Sequence, residues 1–150
     1  MLEGRSPSND DLENASELPF VWVYGRSHFA ISFYGANVFP EMISVGLEQP
    51  EVRAWVTGKF VMESRETSDK NRRLAIAVEL APGVAETGAM HEAIAGAILA
   101  HLRRSNSEFS HYVPADAQRP DVSLFPSGDP TWFPVGVKHR YVRASLPQRQ

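Results

Sequence analysis

The sequence predicts an α+β fold: an antiparallel sheet of about four strands with two helices on one face, preceded by a short N-terminal β-hairpin. Two patterns support this prediction. Apolar residues alternate along residues 53–63 and 73–80, as in a half-buried hairpin, and they recur at helical spacing along residues 87–104. With a shorter helix before the long hairpin and a strand after the long helix, the order of elements is βαββαβ, as in ferredoxin-like domains.

Length and composition fit one globular domain. The chain has 150 residues, of which 43% are hydrophobic and 22% are charged, close to the average for soluble domains. It has no cysteine, which excludes a disulfide framework, thiolate zinc sites and cysteine nucleophiles. No apolar run approaches the ~18 residues of a membrane span.

Charge is divided unevenly along the chain. The net charge is −3, and residues 1–17 alone carry −4, which leaves +1 for residues 18–150. A nearly neutral body does not attract nucleic acid, and the polar N-terminus has no apolar segment typical of a signal peptide. We therefore expect a disordered acidic tail or linker at 1–17, one domain at 18–145, a disordered tail at 146–150, and a cytoplasmic protein with neither nucleic acid nor membrane as partner.

The N-terminal half of the domain begins with two β-rich runs, residues 20–24 and 29–34, on either side of a candidate turn at residues 25–28. The second run is expected to end at residues 35–37. Pro40 suits the first turn of a helix, which Gln49-Pro50 would end.

The central elements follow from the alternating pattern. Gly58 interrupts the apolar face of the first long strand and marks a candidate bulge, and residues 64–71 form a charged hairpin tip. Thr87 can cap the long helix. A short strand is expected at residues 122–125 and a last one at 137–142. The predicted core comprises Ile43, Leu47, Val56, Phe60, Leu74, Ile76, Val78, Leu80, Ile94, Ile98 and Leu102.

Common catalytic motifs are missing from the sequence. No two of the five histidines lie at metal-ligand spacing, and the one carboxylate at such a spacing is Glu108, three residues before His111; a single pair gives too few ligands, so no metal site is expected. There is no P-loop, no G-x-G-x-x-G and no G-x-S-x-G.

Two segments carry a more specific signal. Residues 25–40 are G-R-S-H-F-A-I-S-F-Y-G-A-N-V-F-P, and residues 121–140 contain D-V-S-L-F-P-S-G-D-P and then P-V-G-V-K-H-R. The first resembles the pattern G-R-x-D-D-x-L-x-x-R-G-x-N-x-F-P, which opens the small C-terminal domain of adenylate-forming enzymes of the phenylacetate–CoA ligase-like branch. The second resembles the loop that closes that domain, and the two lie about 100 residues apart, as in the family.

This resemblance implies the C-terminal lid domain of an ATP-dependent carboxylic acid–CoA ligase. Its partner would be an N-terminal adenylation core, with ATP/AMP and CoA as substrates of the complete enzyme and Mg²⁺ accompanying ATP in that core. Such a lid would bind none of these tightly and would be inactive alone. The resemblance assigns catalysis to Lys138, substrate binding to Arg26, Gly35 and Asn37, and the hinge to His28.

Several positions depart from the family pattern. The hinge position, usually Asp or Lys in the family, is His28 in this chain. The position before Gly35, which is basic in the family, is Tyr34. Lys138 lies two residues after Gly136 instead of one, a shift that would turn it to the opposite face if this stretch were a strand.

Simpler interpretations remain open for each feature. Lys138 is also explained as a solvated surface lysine, Arg26 as a turn-stabilising arginine, and Asn37 as the cap of the helix at Pro40. The whole domain is also explained as a non-catalytic ACT-like module that binds a small molecule or forms a homodimer, since fold alone does not establish catalysis.

Overall fold

The computed structural model describes residues 30–143. The predictions for the acidic tail, for the strand at 20–24, for Arg26 and His28, and for the tail at 146–150 lie outside the described residues.

The described chain starts with a tight β-hairpin formed by β1 (Ile31–Phe33) and β2 (Ala36–Val38). Its two turn residues, Tyr34 and Gly35, have φ values of 51° and 85°, as a type I′ turn requires. The strand run ends before Gly35, as predicted, but the prediction missed that residues 36–38 form a second strand, which pairs with β1 after the chain reverses at Tyr34 and Gly35.

Helix α1 (Pro40–Leu47) follows, with Pro40 in its first turn as predicted. After a short 3₁₀ helix (Arg53–Trp55), β3 (Val56–Glu66) and β4 (Arg72–Leu80) form the long antiparallel hairpin. The register shifts between Val56 and Phe60, where Gly58 has a φ of 95°, which confirms the predicted bulge.

Helix α2 (Gly88–Ser105) has the predicted cap: the Thr87 hydroxyl accepts a hydrogen bond from the Met90 amide at 3.2 Å. Two short helices, α3 (Ser107–Tyr112) and α4 (Ala115–Gln118), follow it and were not predicted. Strand β5 (Asp121–Phe125) then joins the sheet.

The sheet order is β3–β4–β5, with β5 parallel to β4. The α+β class is confirmed, and the sheet differs from the all-antiparallel prediction because α2 is a crossover that returns the chain in the direction of β4. The expected last strand is reduced to one bridge, in which the Met62 amide donates to Tyr141 O at 2.7 Å and the Arg143 amide donates to Met62 O at 3.0 Å.

The sheet has two covered faces. The first packs against the β-hairpin and helices α1 and α2 in the main core; ten of the eleven predicted core residues are buried, and Val56 is partly buried. The second is covered by the segment after β5, where Phe133 packs against Val61 and Ala77. Within residues 30–143, no helix combines the length and the apolar character that crossing a bilayer needs.

Candidate functional site

Asn37 lies at the centre of β2 with an exposed side chain that makes no hydrogen bond to any other described residue. Its backbone, in contrast, is held on both sides. Asn37 O accepts a hydrogen bond from Asn106 Nδ2 at 2.9 Å, and the Asn37 amide lies 3.5 Å from Glu108 Oε2. The structure therefore fixes the position of the residue and leaves its amide group exposed.

The alternative role of Asn37 as a helix cap is excluded by the geometry. The N-cap of α1 is Phe39, and no side chain caps this helix end.

Gly35 is the second residue of the turn between β1 and β2, after Tyr34. A Cβ built there would lie 3.9 Å from Tyr112 Cδ2, and Tyr112 is 60% exposed, so this aromatic ring borders the open side of the glycine. The Tyr34 hydroxyl accepts a hydrogen bond from the Arg72 amide at 3.0 Å, which ties the turn to the start of β4. The turn thus presents a glycine backbone beside a tyrosine ring.

The segment after β5 folds back over the second face of the sheet. Asp129 Oδ1 accepts hydrogen bonds from the Thr131 and Trp132 amides, both at 3.0 Å, and the Phe133 amide donates to Asp129 O at 2.7 Å. This turn directs the Phe133 ring into the sheet, where it is 1% exposed. Phe133 is the first anchor of the loop that carries Lys138.

The second anchor follows Lys138. His139 Nε2 donates to Phe60 O on β3 at 2.7 Å, and its ring stacks on Phe133 with centroids 5.6 Å apart. Further along, the Arg143 guanidinium lies 4.1 Å from the centre of the Trp132 ring, a cation–π contact. Aromatic contacts therefore hold the chain on both sides of Lys138.

Between these anchors, residues 134–138 form an exposed stretch that we call the loop tip. Val135 is 85% exposed and Val137 is 64% exposed, and the Lys138 side chain makes no hydrogen bond or ion pair to any described residue. The tip is irregular, without strand pairing, so the two-residue spacing between Gly136 and Lys138 does not turn the lysine across a sheet.

The hairpin and the loop tip lie on different sides of the sheet. Side chains alternate between the faces of a strand. The hairpin belongs to the core cluster that contains Phe60 and Val78, whereas Phe133 packs on the cross-strand pair Val61 and Ala77. The structure therefore does not bring Lys138 together with Gly35 and Asn37: the loop that carries Lys138 starts on the face opposite the hairpin and ends at the edge strand β3.

Sequence reasoning missed three residues around these segments: Asn106, Tyr112 and Glu79. Asn106 had a detectable signal, since an Asn followed by Ser-Glu is a typical helix start. Glu79, the one acidic residue in the apolar strand β4, was also conspicuous. The position of Tyr112 depends on the fold of α3 and had no signal in the sequence. Among residues 30–143 there is no cluster of three or more His, Asp or Glu side chains that could hold a metal ion.

Comparison with known proteins gives the fold a counterpart. No protein-family model matches the sequence, and no curated protein matches it. Among solved structures, the chain is similar to a domain of phenylacetate-coenzyme A ligase from Bacteroides vulgatus ATCC 8482, with a TM-score of 0.50 and 17% identity, over 80% of this chain and 95% of that one. The fold implied by the sequence resemblance is thereby confirmed.

A second solved structure, Brucella canis acyl-CoA synthetase, matches with a TM-score of 0.41 and 18% identity. The match covers 64% of this chain and 15% of the synthetase.

Proposed function

We propose that this chain is the lid domain of an ATP-dependent carboxylic acid–CoA ligase and that it works with an adenylation core. One observation supports the proposal best: Lys138 and the pair Gly35 and Asn37 are exposed at separate places, on a loop packed against one face of the sheet and on a hairpin packed against the other. A lid that serves two successive reactions by rotating needs two such surfaces, one for each reaction.

In the first orientation, Lys138 would meet the carboxylate of the acid and the α-phosphate of ATP as the acyl-adenylate forms. A positive charge there stabilises the negative charge that develops in the transition state, most strongly where water is excluded. Lys138 has no competing partner among the described residues, and it sits on a loop tip between the buried Phe133 and the hydrogen-bonded His139.

In the second orientation, the hairpin would border the path of the CoA pantetheine arm to the adenylate. Gly35 offers a backbone without a side chain, which permits close approach. The side-chain amide of Asn37, two residues further on, is exposed and carries both a donor and an acceptor for the amide groups of the arm.

Two further roles belong to residues outside the described range. His28 is proposed as the hinge of the rotation, and Arg26 as a contact to ribose or phosphate groups of the nucleotide. ATP/AMP and Mg²⁺ are assigned to the core, and none of the described residues is proposed as a Mg²⁺ ligand.

The experiment is a domain exchange. This chain is fused to the adenylation core of a phenylacetate–CoA ligase in place of that enzyme's own lid, and ATP–pyrophosphate exchange is measured with phenylacetate. We expect no activity from this chain alone, low activity from the core alone, and an increase of at least tenfold in the fusion.

The control is the same core rejoined to its own lid through the same linker. If the control is active and the fusion is no better than the core alone, the proposal is wrong. Binding of a small molecule by the isolated chain, or a dimer in light scattering, would then favour the ACT-like module.

A further inference from the structure

Glu79 is a buried carboxylate that the proposed reaction does not use. It lies in β4 between Val78 and Leu80 and is 3% exposed. Each carboxylate oxygen accepts one hydrogen bond: Oε2 from the Thr57 hydroxyl on β3 at 2.7 Å, and Oε1 from the Gly128 amide at 2.8 Å. Glu79 therefore joins the sheet to the loop that follows β5.

A carboxylate at this position is unfavourable unless its oxygens are hydrogen-bonded, because burial removes its hydration. No lysine, arginine or histidine among the described residues forms an ion pair with it. An apolar side chain would suit the strand better, as in the neighbouring residues. Unlike an apolar residue, Glu79 can accept hydrogen bonds from the Thr57 hydroxyl and from the Gly128 amide. Of these two, the bond to Gly128 reaches the loop after β5.

Gly128 contacts Glu79 on one side and lies close to Val135 of the loop tip on the other. Its φ is 75°, and a Cβ added there would lie 3.4 Å from Val135 Cγ2, so the Val135 side chain, although 85% exposed, lies over the open side of Gly128. Val135 precedes Gly136, and Lys138 follows two residues later. The hydrogen bond from Gly128 to Glu79 therefore fixes the backbone beside which the Val135 side chain lies.

We propose that Glu79 is a positioning residue: through Gly128 and Val135 it fixes the loop tip and so the location of Lys138. The effect of Glu79 on the position of the loop tip can be measured on this chain alone. Its consequence for the reaction rests on the proposed function of Lys138.

Amide hydrogen exchange on the full chain tests whether Glu79 fixes the loop. In Glu79→Ala, exchange at the Gly128 amide and at the Phe133 amide, whose hydrogen bond to Asp129 O holds the start of the tip, should accelerate at least tenfold, while the paired amides of β3 and β4 stay within threefold of the parent. Glu79→Gln should stay near the parent, because its amide oxygen still accepts from Gly128 and its amide nitrogen donates to the Thr57 hydroxyl.

Thr57→Val is the matched control. It removes the other hydrogen bond of Glu79 and leaves the loop contact in place, so exchange at Gly128 and Phe133 should be unaffected. Unchanged exchange at Phe133 in Glu79→Ala would overturn the proposal, as would equal acceleration at Phe133 and in the sheet, which would indicate a general loss of stability.

The effect of Glu79 on the reaction is tested in the fusion with the phenylacetate–CoA ligase core. Glu79→Ala should lower pyrophosphate exchange at saturating ATP and phenylacetate by at least tenfold, and thioester formation from preformed phenylacetyl-adenylate by less than twofold. Equal loss in both would contradict a positioning role. If Lys138→Ala has no effect in the same fusion, the proposed function fails, whereas the exchange result still decides whether Glu79 holds the tip.

Discussion

Asn106 Nδ2 donates a hydrogen bond to Asn37 O at 2.9 Å, between residues that are 69 positions apart in the sequence. The same side chain caps α3, because its Oδ1 accepts from the Phe109 amide at 3.0 Å. Asn106 is 6% exposed; its hydrogen bond to the Phe109 amide is buried, and its hydrogen bond to Asn37 O is partly buried. One buried side chain therefore holds β2 against the junction of α2 and α3 and fixes the exposed Asn37.

Asn106→Ala is expected to lower the free energy of unfolding by about 1–3 kcal/mol, because it removes a helix cap and leaves Asn37 O without its partner. Urea denaturation measures the change. Asn106→Asp separates the two contacts, since its carboxylate can still accept from Phe109 and cannot donate to Asn37. A loss in Asn106→Asp as small as about 0.3 kcal/mol would show that the bond to Asn37 contributes little.

Two glycines in helices should respond in opposite directions to alanine. At Gly46 in α1 a Cβ would lie 2.9 Å from Ile98 Cα, so Gly46→Ala must push α1 away from α2 and should destabilise by about 1–3 kcal/mol. At Gly96 in α2 a Cβ would meet nothing within 4 Å, and Gly96→Ala should stabilise by about 0.5–1 kcal/mol through helix propensity. Thermal unfolding of both variants tests this packing, and the same sign of effect in both would refute it.

Gly35→Ala tests the backbone conformation of the hairpin turn. The added methyl group has room, 3.9 Å from Tyr112, so the cost should come from the φ of 85° and amount to about 1 kcal/mol. Chemical denaturation measures it. Gly35→Asn is the control, because Asn adopts positive φ more readily, and it should lose less stability than Gly35→Ala. The reverse order would mean that the turn is not held in this conformation.

Truncation of the central core residue Leu74 should be costly. Leu74 is fully buried between the helices and the sheet, so Leu74→Ala should cost about 2–5 kcal/mol. The exposed Val45→Ala should change the stability by less than about 0.5 kcal/mol. Denaturant midpoints of the two variants give the comparison, and similar values would place Leu74 outside the core.

Local sequence signals predicted the parts of the fold that depend on neighbouring residues. Thr87 and the apolar spacing from Met90 onward predicted α2, and alternation predicted β4, because these patterns follow from the geometry of a single helix or strand. The parallel pairing of β5 with β4 was missed, since the direction of a crossover is decided by tertiary packing.

The candidate site was predictable in part for the same reason. The motif singled out Gly35 and Asn37, which the structure places in the hairpin turn and in β2, but the link from Asn37 to Asn106 joins distant segments and leaves no local pattern. The predicted strand at residues 137–142 failed because His139, instead of continuing a ladder, turns its ring onto Phe133 and bonds Phe60 O.

Lys138→Ala in the fusion with the phenylacetate–CoA ligase core tests the central claim most directly, with the two half-reactions measured separately. Lys138 is exposed and has no partner among the described residues, so its removal should change the stability by less than about 0.5 kcal/mol, and Arg104→Ala serves as a control for the loss of a surface charge. We predict that pyrophosphate exchange falls at least a hundredfold, while thioester formation from preformed phenylacetyl-adenylate stays within threefold. Unchanged pyrophosphate exchange, or equal loss in both half-reactions, would contradict the role of this chain as a two-orientation lid.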